Sequence, residues 1–334
     1  TYISGADGKW YDTNTRVGYT PDQFDGMTRS AAVTYVAVMD PSPYMASGSS
    51  WWRYSDSNMK GYVNAIEFAT SYTPSGAVTA QWSGDEDNRG VYKCYLVPTS
   101  GTITYNGTTK TAQKLIIAST NGGKIKLNAD SDSFLGTGYW GNVKTLTGLS
   151  NLDTSAVTQM GSFFGTMTGY TNALDLRNWN VSNVTNMDTM FYNVSASSIN
   201  IRGWNVSNLR SAFAMFGQCK NVKTIYLGNF NVPSSCDLTY MFNSTNTGTY
   251  GRTGPTVYVA SASIKSTIVN LAGLTENTSS NWNSDLNPSQ IVVNATAGQS
   301  ATSQVMALVF GDNEDIVGYN VTNGETVEAF AEVG

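Results

Sequence analysis

The feature that most constrains the fold of this sequence is an internal repeat with a period of about 25 residues. Residues 174–184 read LDLRNWNVSNV, and residues 199–209 read INIRGWNVSNL. A third copy begins at Ile225, and an earlier copy includes Leu152. A sequence that repeats at a fixed period folds into equivalent units stacked side by side, because no unit can bury its apolar face alone. The chain is therefore expected to contain such a stack.

Two apolar rhythms occur within each unit. At its start the apolar residues alternate, as in Leu174 and Leu176, which indicates a short strand with one buried face. Val184, Met187 and Phe191 then follow at steps of three and four residues, which favours a helical turn packed on the same core. We expect one strand and one short helix in each unit.

The apolar positions that recur from copy to copy are predicted to face one shared core rather than a ligand pocket. This assignment includes the tryptophan or phenylalanine of each copy and the Met-Phe pair that closes it. The predicted core residues are Leu152, Phe164, Leu174, Leu176, Trp179, Met190, Phe191, Ile199, Ile201, Trp204, Met215, Phe216, Ile225, Leu227, Phe230, Met241 and Phe242.

The repeat resembles that of the BspA-like leucine-rich-repeat surface proteins. Their units read approximately Leu-Asp-Leu-Ser-x-Phe-Asp-Thr-Ser-x-Val-Thr-x-Met-x-x-Met-Phe, and residues 180–191 of this chain read NVSNVTNMDTMF. Trp179 and Trp204 stand where the family usually has phenylalanine, and Asn180 stands where it has aspartate. The resemblance covers roughly residues 124–275. It implies a mainly β leucine-rich-repeat solenoid that is displayed on a cell surface.

Three regions are expected along the chain. Residues 1–120 are predicted to form a β-rich module with an extended N-terminal arm, in which Asn106-Gly107 marks a hairpin turn. Residues 121–275 hold the repeats and their caps. Residues 276–334 are predicted to contain an Asn/Ser/Thr-rich linker and a C-terminal β segment that serves in assembly.

The composition argues against several classes of function. Only 13% of the residues are charged, the net charge is −5, and no basic stripe is present, so a nucleic-acid partner is not expected. The chain has no histidine, which removes the usual general base and the commonest transition-metal ligand. Its three cysteines are too few and too widely spaced for a disulfide framework or a zinc site. We expect no enzymatic activity, cofactor, metal or membrane insertion.

Two stretches were considered as binding sites. Trp51, Trp52, Tyr54 and Tyr62 lie in a Ser/Gly-rich setting and are candidates for stacking on sugars, with core packing as the alternative interpretation. Residues 85–90, DEDNRG, are similar to the start of a calcium loop. A solvated turn is favoured for them, because an arginine occupies a position where an oxygen ligand is needed.

The leading interpretation is a non-enzymatic adhesion or recognition protein outside a cell, which binds a host-surface protein or glycan. The alternative is a bacteriophage virion component, such as a fibre, decoration or receptor-binding protein, because the chain has neither a recognisable signal peptide nor a C-terminal cell-wall sorting motif. Self-assembly through the N-terminal and C-terminal segments is possible in either case. A glycoside hydrolase with paired carboxylates is a third hypothesis, for which no local motif singles out a pair.

The repeat makes a geometric expectation that a structure can test. Leu174, Ile199 and Ile225 should lie side by side on paired strands about 4.8 Å apart. Their placement on unconnected elements would contradict the stacked arrangement.

Overall fold

A computed structural model shows that the chain is mainly β with few helices. It describes residues 2–4, 10–12, 17–19, 33–34, 37–41, 50–136, 138–243, 255–274, 290–293, 307–310 and 316–319. The predicted linker at 276–287 lies outside these residues. The strands are β1 (Tyr2–Ser4), β2 (Trp10–Asp12), β3 (Val17–Tyr19), β4 (Val33–Thr34), β5 (Val63–Ala69), β6 (Ala80–Ser83), β7 (Tyr92–Tyr105), β8 (Thr108–Ser119), β9 (Ile125–Lys126), β10 (Thr145–Thr147), β11 (Leu152–Asp153), β12 (Leu174–Asp175), β13 (Ser198–Asn200), β14 (Thr224–Gly228), β15 (Thr256–Val259), β16 (Gln290–Val293), β17 (Ala307–Phe310) and β18 (Ile316–Tyr319).

Helices are short in the described part of the chain. The α-helix α1 spans Ala262–Leu271, and the 3₁₀ helices span Ser57–Tyr62, Glu86–Asn88 and Leu149–Asn151. The Ser261 hydroxyl caps α1 by accepting a hydrogen bond from the amide of Ile264. With ten residues, α1 is about half the length that crosses a bilayer, and no described helix qualifies as a membrane span.

The N-terminal region is built around a five-stranded sheet of order β10-β5-β8-β7-β6. Its centre is the long antiparallel hairpin of β7 and β8, and the predicted Asn106-Gly107 turn joins these two strands. Both turn residues have positive φ, 49° and 76°, as the tight turn of a twisted hairpin requires. β5 pairs in parallel with β8 on one side and with β10 on the other. Strand β10 thus connects this sheet to the repeats.

The repeats contribute a second five-stranded sheet, of order β12-β13-β14-β15-β16, in which all neighbouring strands are parallel. Leu174 pairs with Ile199, and Ile199 pairs with Ile225, as the period predicted. Strand β16, which the sequence placed in the C-terminal segment, pairs with β15 and is the fifth strand of this sheet. The smaller groups are the sheet β1–β4, the β9–β11 pair and the β17–β18 hairpin.

The short helix predicted in each unit is wrong. Residues 182–183 and 188–193 form turns, and none of residues 184–191 is helical, because Thr189 has a left-handed backbone with φ 55° and interrupts any helix there. Some amides bond to the next unit: Met187 donates to the Ser211 carbonyl at 2.8 Å, and Phe191 donates to the Met215 carbonyl at 2.9 Å. Others close tight turns within the unit, as from Met190 to the Met187 carbonyl at 3.2 Å. The apolar residues at steps of three and four therefore belong to tight turns that stack in register from unit to unit, and not to a helix.

Every predicted repeat-core residue is buried, with an exposed fraction of 4% or less. The phenylalanines of the Met-Phe pairs form a continuous stack: the ring centroids of Phe164 and Phe191 are 5.7 Å apart, those of Phe191 and Phe216 are 5.3 Å apart, and those of Phe216 and Phe242 are 5.7 Å apart. Consecutive ring planes lie within 8° of each other. Each ring therefore packs on its equivalents in the neighbouring units.

A second stack explains the two tryptophans that replace phenylalanine in the repeat. The rings of Trp179 and Trp204 are 6.4 Å apart and nearly parallel. Each indole N–H donates a hydrogen bond to a carbonyl of the preceding unit, that of Leu149 at 2.9 Å and that of Leu176 at 2.8 Å. A phenylalanine cannot make this bond, so tryptophan adds a polar link between adjacent units.

We predict that Phe216→Ala lowers the free energy of unfolding by about 3 to 5 kcal/mol, because it removes a fully buried ring between two stacked neighbours and leaves a cavity. Chemical denaturation measures this value. The matched control is Phe213→Ala in the same unit, where the ring is 37% exposed and the loss should be well below that of Phe216→Ala. Equal losses in the two variants would contradict the core assignment.

Candidate functional site

Three of the four aromatic residues proposed from sequence as sugar-stacking groups are buried. Trp51, Trp52 and Tyr62 have exposed fractions of 0%, 7% and 2%, whereas Tyr54 is half-buried. The Trp51 ring stacks on Trp140, with centroids 5.9 Å apart. These rings therefore form part of the core, and this corrects the expectation that they face solvent. Only Tyr54 retains surface for a ligand.

The Tyr62 hydroxyl also has an internal role, since it lies 3.1 Å from the carbonyl oxygens of Tyr105 and Thr108 at the base of the hairpin turn. Lys60, two residues earlier, is itself buried. Its ammonium lies over the rings of Trp52 and Tyr139, at 5.3 and 4.7 Å from their centroids. Burial lowers the pKa of Lys60 to about 8. The group is a structural cluster in which cation–π contacts hold a buried amine.

Within the acidic stretch 85–90, Glu86 and Asn88 are exposed, as a solvated turn predicts, but Asp85 is fully buried. Its carboxylate accepts hydrogen bonds from the backbone amides of Arg89, Gly90 and Tyr92 at 3.0 to 3.2 Å. The carboxylate thus closes a loop by satisfying buried amides. It is occupied by protein donors, which removes the reason to consider it a calcium ligand.

The three cysteines are buried and free. Burial raises the pKa of Cys219 to about 12 and that of Cys236 to about 11, and it also raises the pKa of Cys94. The thiolate is the reactive form of cysteine, so these thiols are poor nucleophiles and poor metal ligands at neutral pH.

The repeat sheet presents polar and aromatic side chains on the face opposite the core. Because side chains alternate along a strand, the residue after each buried leucine, isoleucine or valine points to the opposite face of the sheet. Strand pairing aligns these residues into one row. We call this row and two adjacent arginines the strand-face strip, which comprises Asp175, Asn200, Tyr226, Tyr258, Arg177 and Arg202. On that face Asn200 and Arg202 are buried, and the other members of the strip are half-buried.

One end of the strand-face strip is a bidentate ion pair. The Arg177 guanidinium donates from Nε to Oδ1 of Asp175 at 3.0 Å and from Nη2 to Oδ2 at 2.8 Å. In the next unit Arg202 donates from Nε to the amide oxygen of Asn200 at 3.0 Å. In both units the arginine Nε bonds to the side chain two residues earlier, but that side chain is a charged carboxylate in one unit and a neutral amide in the next.

The other end of the strip is aromatic. The Tyr226 and Tyr258 rings stack with centroids 5.3 Å apart and planes 16° apart. The Arg202 guanidinium carbon lies 5.7 Å from the Tyr226 ring centroid. Both tyrosines are half-buried and keep part of their surface open to solvent. The accessible parts of the strip are therefore the carboxylate–guanidinium pair Asp175–Arg177 and the stacked tyrosines, whereas Asn200 and Arg202 are buried between them.

The ionisation states along the strip follow from local contacts. Burial alone would raise the pKa of Asp175, but hydrogen bonds from the Arg177 side chain and backbone, with the charges of Arg177 and Arg202, hold it below its usual value. Burial and the neighbouring Tyr258 raise the pKa of Tyr226. At neutral pH the carboxylate is therefore charged and the phenol is neutral. The arrangement is suited to binding by stacking and hydrogen bonds.

Sequence reasoning did not single out the strip. Tyr226 follows the buried Ile225 in its strand, and that alternation could have marked it as outward-facing. Tyr258 lies 32 residues later, outside the period of about 25 residues, so no spacing signal connected the two rings.

We predict that Asp175→Asn lowers stability at neutral pH and that the difference from the parent disappears in acid. The folded-state pKa of Asp175 is depressed, so its contribution is present above the unfolded value of about 3.8 and is lost as pH falls through the folded pKa. The fold itself should persist, because asparagine occupies the equivalent position 200 beside Arg202. Thermal unfolding between pH 7 and pH 2 tests this, and a pH-independent difference would contradict it.

Comparison with known proteins gives one match. The family described as "Mycoplasma protein of unknown function, DUF285" matches residues 137–250, which is less than half of the chain. The matched stretch includes the first three strands of the repeat sheet, β12 to β14. No curated protein and no solved structure matches the chain significantly. The repeats of this chain are thus similar to that family in sequence.

Proposed function

We propose that this chain is a non-enzymatic recognition protein displayed outside a cell, and that the strand-face strip binds a host-surface protein or glycan. The observation that carries the proposal is the stacked pair Tyr226–Tyr258, whose half-buried rings keep part of their surface open beside the buried Arg202 side chain. Tyrosine and arginine are the residue types that most often dominate binding energy at protein surfaces.

The proposal includes a leucine-rich-repeat type of solenoid as the scaffold. Its support is the in-register pairing of successive units, together with the shared core of stacked phenylalanines. In such a scaffold the backbone of each unit is fixed by its neighbours, so outward side chains are held in a defined row. The resemblance to BspA-like surface proteins supports display at a cell surface, with the virion surface as the alternative location.

Rigidity favours the strip as a binding surface. The Arg177 and Arg202 side chains are already ordered by Asp175 and Asn200, and the two tyrosine rings order each other. A partner that docks there meets side chains that lose little further rotamer freedom. The electrostatic steering should be weak, because the Asp175–Arg177 pair is internally neutralised and the whole chain carries few charges.

We predict that Tyr258→Ser weakens binding to the native host surface by about tenfold or more, because it removes one ring of the stacked tyrosine pair that carries the proposed interface. The measurement is the binding isotherm of the labelled chain on host cells. Tyr72→Ser is the matched control, since Tyr72 is also a half-buried tyrosine in contact with a second tyrosine, Tyr95, but lies outside the strip. The control should bind like the parent.

The same isotherms at low and high ionic strength separate two modes of recognition. Binding through rings and amides should change little, because salt screens mainly exposed charges. A loss of a hundredfold or more at high salt would contradict the proposal and indicate electrostatic capture. Equal binding by Tyr258→Ser and the parent would exclude the strip as the binding surface.

A further inference from the structure

We propose that Phe213 and Tyr240 form a second binding site, the aromatic pair, which stacks on a neutral oligosaccharide of β-linked pyranoses. Within the described part of the chain, the exposed large hydrophobic side chains are Phe213, Tyr240 and Val293. The first two are 37% and 43% exposed, and their rings meet edge to face with centroids 5.6 Å apart. This site uses none of the residues of the strand-face strip.

The repeat does not account for these two rings. The residues that correspond to Phe213 in the two preceding units are Gly161 and Asp188, as the spacing to the Met-Phe or Phe-Phe pair shows. Those that correspond to Tyr240 are Ser162, Thr189 and Ala214. The scaffold is therefore built with small or polar residues at these positions. The aromatic rings contribute surface rather than core.

The backbone at Tyr240 supports a functional reason for its ring. Its φ is +57°, in the left-handed region, and the corresponding residues Ser162, Thr189 and Ala214 also have φ between 49° and 55°. The stacked turns impose this conformation on whichever residue occupies the position. A bulky aromatic side chain is unfavourable there, so neither the backbone nor the core accounts for the ring of Tyr240.

Polar groups of opposite charge lie just before the two turns that carry these rings. Asp237 and Arg210 are exposed, and the Asp237 amide donates to the Arg210 carbonyl at 2.9 Å, which places their backbones side by side. Oδ1 of Asp237 accepts a hydrogen bond from the Thr239 amide at 2.8 Å, next to the Tyr240 backbone. Phe213 is held in the same way, because its amide donates to Oδ1 of Asp188 at 2.8 Å.

These groups match the chemistry of a neutral sugar. A β-linked pyranose with equatorial hydroxyls exposes axial C–H bonds, which pack on an aromatic face, while its paired hydroxyls suit planar carboxylate and guanidinium groups. Asp188 and Asp237 outnumber Arg210 at this site, which disfavours an anionic polymer. Two rings are also too small an apolar area for a stable protein interface. The shared chemistry therefore favours a short neutral glycan.

The test is isothermal titration calorimetry of the full chain with three tetrasaccharides: β-1,4-linked glucose, β-1,3-linked glucose and β-1,4-linked N-acetylglucosamine. At least one should bind, and Phe213→Ser and Tyr240→Asn should each weaken that binding by about tenfold or more. Tyr240→Asn should fold at least as well as the parent, because asparagine tolerates positive φ. Its thermal unfolding separates loss of the ring from loss of the fold.

Tyr258→Ser is the control, because it alters the strand-face strip and leaves the aromatic pair intact. It should bind the sugar like the parent. The proposal is overturned if none of the three sugars binds at millimolar concentration. It is also overturned if Phe213→Ser and Tyr240→Asn bind normally while Tyr258→Ser does not, an outcome that would instead place sugar recognition on the strip and support the proposed function.

Discussion

Backbone hydrogen bonds between successive units determine where every side chain of the repeat region lies. The Leu176 amide donates to the Asn200 carbonyl at 2.9 Å, and the Ile201 amide donates to the Tyr226 carbonyl at 3.0 Å. A second set of bonds joins the turns, as from Phe216 to Met241 at 2.9 Å. Because a slip of one residue in a parallel strand would turn its core side chains toward solvent, these bonds and the core specify the same register. The aromatic rings of successive units stack because the backbone bonds and the core packing specify the same register.

The fixed register of the units requires the core residues to repeat from unit to unit, whereas residues on the opposite face of the sheet can differ. Inside, Phe191 and Phe216 repeat because each ring is the packing surface for the next. On the opposite face of the sheet, the row that begins with Asp175 continues through the buried Asn200 to Tyr226 without disturbing the strands that carry it. Recognition surfaces can therefore be assembled by substitution at outward positions while the core remains unchanged. We propose that the strand-face strip and the aromatic pair are two such surfaces on one scaffold.

The strands and core positions that recur with the repeat could be predicted from the sequence. The buried row of Leu174, Ile199 and Ile225 follows directly from the repeat and from strand alternation. The short helix was mispredicted because a left-handed residue such as Thr189 lets tight turns produce the same apolar spacing as a helix. The spacing of apolar residues does not distinguish a helix from stacked turns. It shows which residues are buried, but not which carbonyl accepts the hydrogen bond of each amide.

Features that depend on distant contacts could not be predicted from local sequence. Trp51 is buried by Trp140, 89 positions away, so its Ser/Gly-rich neighbours gave a misleading impression of exposure. Asp85 is surrounded by the amides of its own loop, an arrangement that a string of acidic residues does not reveal. The pair Tyr226–Tyr258 arises from pairing of β14 with β15 across an irregular spacing. Each of these needed the tertiary structure.

Deletion of one complete unit tests the stacked account most directly. Removal of residues 187–211 joins Asn186 to Ala212, which is the residue that corresponds to position 187, and so preserves the register of all remaining units. The account predicts a cooperatively unfolding protein that is shorter by one strand spacing, about 4.8 Å, as measured by thermal unfolding and small-angle X-ray scattering. Removal of only residues 187–199 breaks the register and should abolish cooperative folding. If the full-unit deletion fails to fold, or if both deletions behave alike, the units are not equivalent members of one stack.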